Sequence, residues 1–317
     1  ILFIDKQIIN LYKCGKRKGN MNKEKQELLK SKLNNGQGND HFSPSQLTNK
    51  PIAWWMIKYL VSSQDDRRKS LANYKMHYGN LVGNTSQHLI CKYIFKGAER
   101  QEIKDRIYET IYEHELKQIN KNKPRDEKDE DCRTHMLEYS HQTITQILKA
   151  VKKIFGKDSV QGERYVHDQP DNLFLPIIGR IDFEAANKIA ELKSKPPYFR
   201  LLKTGLKGYT QKLPIEPQLD HIAQLSFYWH CARKKPFLFY VNEEDYKIFD
   251  EFTDEYLEHC YQTYIVKKAK TIQRLLEASK GDASIMADLV EAPDMKHYLY
   301  SDLTEHQQQQ INKLWGI

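Results

Sequence analysis

The chain has 317 residues, 39% of them hydrophobic, 29% charged and 11% aromatic, enough apolar material to build a core and rule out global disorder. Its formal charge of +8 and mean hydropathy of −0.75 describe a polar, basic surface, and no run of about 18 apolar residues offers a membrane span. The basic excess favours a polyanionic partner, while five scattered cysteines without a CxxC pair leave zinc ribbons, iron–sulfur clusters and a disulfide framework unsupported. Reduced thiols in a cytoplasmic protein are the expectation.

The opening "ILFIDKQIINLYK" is interrupted by charge and lacks a small-residue cleavage site, so it is a poor signal peptide. With "KCGKRKGN" before Met21 and the Gly- and Asn-rich "NNGQGND", residues 1–40 read as a flexible basic segment ahead of a single domain over 41–317. A helix starts in "HFSPSQL", with Ser43 as N-cap, Pro44 at the first helical position and Gln46 as capping-box partner. Pro51 breaks or restarts it, and Trp54 and Trp55 add bulk to a core. "YGNLVGNTSQHLICKYIFKG" reads as a second helix capped by Gly97. Residues 101–121 and 131–154 read as amphipathic helices joined by the charge-dense linker "NKNKPRDEKDED". Residues 41–155 thus form a helical part.

Strand patterns begin near Ser159: "SVQGERYV", the turn "HDQPDN", "LFLPIIGRIDF", then "KIAELKS". After the basic insertion "KSKPPYFRLLKTGLKGYTQKLP" comes the helix "EPQLDHIAQLSFYWHCARKK", then a hairpin of "PFLFYV" and "DYKIFD" around "NEE". The remainder is helical, near 252–279, 283–290 and 304–315. This order predicts an α/β or α+β domain: a sheet with a crossover helix at 156–250, between a helical N-terminal region and C-terminal helices at 251–317.

The chemistry concentrates in "GRIDFEAANKIAELKSK". Alternate strand residues share a face, so Glu191 and Lys193 lie together on one strand and Arg180 and Asp182 on the one before, with Leu192 turned toward the core. A short hairpin brings Asp182 toward Glu191 and Lys193. Adjacent carboxylates repel unless a cation lies between them, and hard oxygen ligands suit Mg²⁺ or Mn²⁺. Such a metal polarises a phosphoryl oxygen, and Lys193 can orient the attacking water. On these residues alone, a charged strand edge facing water remains an open alternative.

Five short motifs occur in order. They are "FSPSQL"; "GNTSQH", ending at His88; "GRID", with Asp182; "ELK", with Glu191 and Lys193; and "QLSFY", with Gln224 and Tyr228. Together, over roughly residues 41–250, they resemble the RecB-type branch of the PD-(D/E)XK nuclease superfamily. The resemblance implies a restriction-endonuclease-like core, a central mixed β-sheet flanked by helices. It implies Mg²⁺ or Mn²⁺ held by Asp182 and Glu191, with His88 assisting and the carbonyl of Leu192 as a further ligand. Lys193 is the implied catalytic lysine, with Gln224 and Tyr228 ordering the site and touching DNA, and Glu163 as site support. The cysteine triplet that holds an iron–sulfur cluster in some relatives is missing here, so no cluster is expected. No Walker A motif is present, so no helicase or ATPase activity is expected in this chain, which is a stand-alone nuclease or a subunit working with a separate recombination or replication partner.

In the insertion, Lys195, Arg200, Lys203, Lys207 and Lys212 alternate with Tyr198, Phe199 and Tyr209. Basic side chains bind phosphate and aromatic ones stack on unpaired bases, although a solvated basic loop reads equally well. The resulting expectation is a metal-dependent deoxyribonuclease. The resemblance further implies an exonuclease acting on DNA ends or single strands in recombination, repair or replication, expected in the cytoplasm or, for a viral protein, the host-cell cytoplasm. A structure-selective endonuclease and a non-catalytic DNA-binding accessory module are the alternatives.

Overall fold

A computed structural model describes residues 27–28, 31, 40–48, 51–62, 74–91, 101–121, 127–195, 198–201, 207–210, 212–296, 300 and 303–317. Most of the basic segment 1–40, the expected cap at Gly97, and Lys203 lie outside the described residues.

The N-terminal helices are α1 (Pro44–Leu47), α2 (Ile52–Met56, continued by a π turn, Ile57–Val61), α3 (Tyr74–Leu89), α4 (Gln101–Ile107), α5 (Glu113–Lys121), α6 (Glu127–Glu138) and α7 (Ser140–Phe155). A π turn, Tyr108–Tyr112, joins α4 to α5. Helix α7 shows why such segments are helical. Ile144, Ile147, Val151 and Ile154 recur at three- and four-residue steps, so one buried stripe faces the core, and Gly156 ends the helix at φ 63°.

Three features differ from the sequence expectation. The capping box at Ser43 does not form. In so short a helix the Ser43 hydroxyl meets that of Ser45 instead, at 3.2 Å. The stretch "EKDED" belongs to α6 rather than to a linker, because acidic residues suit a helix N-terminus and Glu130 pairs with Arg133 one turn on. The helix expected over 131–154 is broken at Tyr139, where the Ser140 hydroxyl returns to the Leu137 carbonyl at 2.7 Å and competes with helical bonding.

The sheet strands are β1 (Gln161–Asp168), β2 (Ile177–Glu184), β3 (Lys188–Ser194), β6 (Lys235–Val241) and β7 (Tyr246–Phe249), in the order β1-β2-β3-β6-β7. The basic insertion contributes a separate antiparallel hairpin of β4 (Tyr198–Leu201) and β5 (Lys207–Thr210). All neighbouring pairs in the main sheet are antiparallel except β3–β6. A parallel pair needs a crossover, and α8 (Leu219–Ala232) supplies it. The β6–β7 turn is held by the Asn242 side chain, which accepts from the backbone N–H groups of Glu244 and Asp245 at 3.0 and 2.7 Å. The C-terminal helices are α9 (Asp254–Cys260), α10 (Lys267–Ala278), α11 (Ala283–Asp288) and α12 (Glu305–Trp315), with a π turn, Tyr261–Val266, between α9 and α10. The architecture is mixed α/β, a five-stranded mixed sheet flanked by helices.

Each sheet face has its own core. Ile177, Ile189, Phe227 and Tyr261 belong to the one beneath α8 and α9. Tyr78, Ile147, Phe183 and Phe239 belong to the one beneath α3 and α7. Strand β6 feeds both in strict alternation, with Leu238 and Tyr240 on one side and Phe237, Phe239 and Val241 on the other. The tryptophan pair divides likewise: Trp55 joins the first core, and Trp54 a small third cluster with Ile57 and Ile311. None of the described cysteines, Cys91, Cys132, Cys231 and Cys260, is in a disulfide. Among the described residues no helix is long and apolar enough to cross a membrane.

Candidate active site

The site lies where the sheet's regular pairing fails. Strands β2 and β3 pair at Phe183–Ala190 and Glu184–Ile189, and the next step, Asp182 with Glu191, is missing from the ladder. On the other side, β1 and β2 pair on both flanks of Glu163 and Asp182 but not at these residues. Glu163 has φ 58°, a conformation that a non-glycine residue rarely adopts in mid-strand. Alternation also breaks here: Ile181 enters the first core and Phe183 the second. Asp182 therefore sits in a crevice rather than on a sheet face.

Two bonds occupy the crevice. The Leu192 N–H donates to Asp182 Oδ2 at 2.9 Å. The Asp182 carbonyl, without a ladder partner, accepts from Gln87 Nε2 of α3 at 3.2 Å. On helix α3, Gly83 and Gly79, one and two turns before Gln87, face β3. A Cβ on Gly79 would stand 3.6 Å from Ser194 Oγ, and one on Gly83 would stand 3.9 Å from Leu192.

The carboxyls of Asp182 and Glu191 lie within hydrogen-bond reach of each other. Glu191 is 3% exposed. Its Oε1 accepts from Lys193 Nζ at 2.7 Å, and its Oε2 is buried without a protein donor. Burial and the neighbouring Asp182 push the Glu191 carboxyl up to about 8. Burial likewise raises Asp182, against the opposing pull of Lys193 and of the Leu192 N–H. The Lys193 ammonium also donates to Gln224 Oε1 at 2.8 Å, and Gln224 Nε2 donates to the Tyr228 hydroxyl at 2.8 Å. These bonds set the Gln224 amide in one orientation and the lysine between two acceptors. Burial first, then the charges of Glu191 and Asp182, hold Tyr228 well above the ordinary tyrosine range, so its hydroxyl stays protonated.

Tyr228 lies under β2 because residue 179 is glycine. A Cβ there would come within 2.7 Å of the Tyr228 ring, 2.9 Å of Phe227 and 3.0 Å of Pro44. Segment "FSPSQL" reaches this point through Phe42, which donates to the Pro176 carbonyl and accepts from the Ile178 N–H. Three stretches far apart in sequence thus converge on one strand.

Asp182, Glu191, Lys193, Gln224 and Tyr228 are brought together in one hydrogen-bonded group. Tyr228, expected also to touch DNA, is 3% exposed, and its ring belongs to the core. His88 stands apart: among the described residues, no three His, Cys, Asp or Glu side chains gather as a metal-holding group. Helix α3 turns Gln87 toward Asp182, and the next residue points roughly 100° away around the helix. His88 instead lines a neighbouring hollow with Glu163 and Arg180, which pair at 2.9 Å. Of the basic insertion, Lys195 is half-buried. Its ammonium donates to Gln218 Oε1 at 3.0 Å and lies over the Tyr240 ring, and burial, then Lys193, lowers its pKa. Lys212 is exposed, and Arg200 and Lys207 lie on β4 and β5.

Gln87 is the residue that motif reading missed. Its signal was the stripe Gly79–Gly83–Gln87, small and amide residues at intervals of four on a helix otherwise apolar toward the sheet.

The pair fits a hard divalent cation: two carboxylates, oxygen donors only, Glu191 buried and Asp182 half-buried, with one Glu191 oxygen lacking a donor. No family model matches the chain, and no curated protein does. Among solved structures, one titled "Crystal structure of SSO0001" is 15% identical over 43% of this chain and 70% of that chain, at a TM-score of 0.23, a likeness too slight to carry an argument.

Proposed function

We propose that this chain is a Mg²⁺- or Mn²⁺-dependent DNA nuclease, hydrolysing phosphodiester bonds at DNA ends or in single strands during recombination, repair or replication. The observation that carries the reading is the Asp182–Glu191 pair, with its buried, donorless Glu191 oxygen, beside an ammonium held by two acceptors. Asp182 and Glu191 would hold the ion, with the Leu192 carbonyl as a further ligand. When bound, the ion would supply Lewis-acid polarisation of a phosphoryl oxygen. Lys193 offsets the negative charge that grows on the phosphoryl group and orients the attacking water. Gln224 fixes the lysine, and Tyr228 fixes Gln224. The basic residues on and around the β4–β5 hairpin supply sequence-tolerant phosphate contacts. A separate partner protein would supply any helicase step.

The test uses linear and covalently closed circular DNA, with and without Mg²⁺ or Mn²⁺, beside Lys193→Ala and Asp182→Ala. Metal-dependent loss of linear DNA, abolished in both variants, is the expected result. No degradation, or degradation unchanged in both variants, defeats the reading. Cutting of the closed circle would make the enzyme an endonuclease.

A further inference from the structure

We infer that the hollow beside the carboxylate crevice, taking as given the nuclease reading of that crevice, is a subsite for a single nucleoside of the substrate strand. Two hollows adjoin here. One, of about 210 Å³, contains Asp182 and Lys193; the other, of about 190 Å³, contains His88, His114, Thr110 and Glu163. Arg180 and Asn84 line both, so a strand lying in the first continues into the second.

The lining chemistry selects the ligand. Arg180 is already paired with Glu163, and the Asn84 amide donates to Glu115 at 3.0 Å. With one arginine against two glutamates, the hollow has no excess positive charge for a bare phosphate. It offers instead both donors and acceptors: a guanidinium, two imidazoles, a hydroxyl, an amide and two carboxylates. A sugar and base, neutral and bearing both O–H and N–H groups and acceptor atoms, suit that mixture. The volume is below the roughly 300 Å³ of a drug-sized pocket, which suits one nucleoside and no more. Two backbone irregularities shape the same hollow. Glu163 is held at φ 58°, and Thr110 and Ile111 sit on a π turn, and both kinds of feature concentrate at functional sites. With the phosphodiester at Asp182 and Lys193, the adjoining hollow, which shares Arg180 and Asn84, would receive the neighbouring nucleoside of the strand.

The test is binding without turnover. The 317-residue chain in chelator is titrated calorimetrically with thymidine, thymidine 5′-monophosphate and inorganic phosphate. Thymidine and its monophosphate are expected to bind saturably, and Thr110→Trp, which fills the hollow from its exposed rim, to weaken both at least tenfold. Should Thr110→Trp misfold by circular dichroism, His114→Ala on the same exposed rim decides, with a several-fold loss expected. No saturable thymidine binding, affinity unchanged in the folded variant, or phosphate binding as tightly as the nucleoside each overturns the subsite. DNA cutting with metal is scored separately. Cutting without nucleoside binding removes the subsite alone, and binding without cutting removes the nuclease reading alone.

Discussion

Glu191 and Lys193 sit two residues apart on one strand, one wholly enclosed and the other 19% exposed. The raised Glu191 carboxyl has a stability consequence whose sign follows from linkage. In the folded chain it holds its proton to about pH 8, against an ordinary value of 4.5. Its contribution is fully present below the unfolded value and is lost as pH rises through the folded one. In chelator, the melting temperature is therefore expected to fall between pH 5 and pH 8.5, as followed by scanning calorimetry. Glu191→Gln should flatten that fall, and an unchanged slope would show that another group causes it. At Lys193, Gln224→Ala removes one of two acceptors that aim the ammonium. A loss of about 10²-fold in the cleavage rate, with the melting temperature nearly kept, is expected for a misaimed charge-stabilising group. Single-turnover kinetics measure it, and an unaltered rate would make Gln224 a packing residue. Asp182, Glu191 and Lys193 were legible in the sequence because alternation on a strand is local. Gln87 was not, because an amide matters here only through the carbonyl that the parted ladder leaves bare.

Strand β2 is the element on which the site depends, and Gly179 is its narrowest point. Gly179→Ala drives a methyl into Tyr228 and Phe227 of α8 and Pro44 of α1. Overpacking of this kind costs about 1–3 kcal/mol. Urea unfolding should show that loss, and cleavage should fall with it, since Tyr228 supports Gln224. Unchanged stability would mean that α8 shifts without cost. The strands and α8 appear at their expected places because short apolar runs between turn signals leave few other readings. The break at Tyr139 was hidden, since a serine inside an amphipathic pattern does not announce that its hydroxyl turns back to the Leu137 carbonyl, where the Tyr112 hydroxyl also meets it at 2.7 Å. The parted β2–β3 ladder was hidden too, because both strands read as continuous.

Over the whole molecule the +8 charge makes a further prediction. If the five basic residues of the insertion each neutralise one phosphate of a single strand, log affinity against log salt should slope by about −3.5 (~0.7 per contact). Fluorescence anisotropy with labelled single-stranded DNA measures the slope. A value near zero would separate the charge from DNA binding.

Element types, the crossover order and the D…ExK spacing follow from local patterns of apolar and turn residues, so they could be read along the chain. The decisions left to the tertiary structure are those that join distant segments. Helix α3 presents Gln87 to Asp182 and leaves His88 to a second hollow, and Tyr228 is enclosed beneath Gly179 rather than offered to solvent. Both depend on how closely two backbones approach, which is set by side chains some 50 to 100 residues apart and cannot be read from either segment alone.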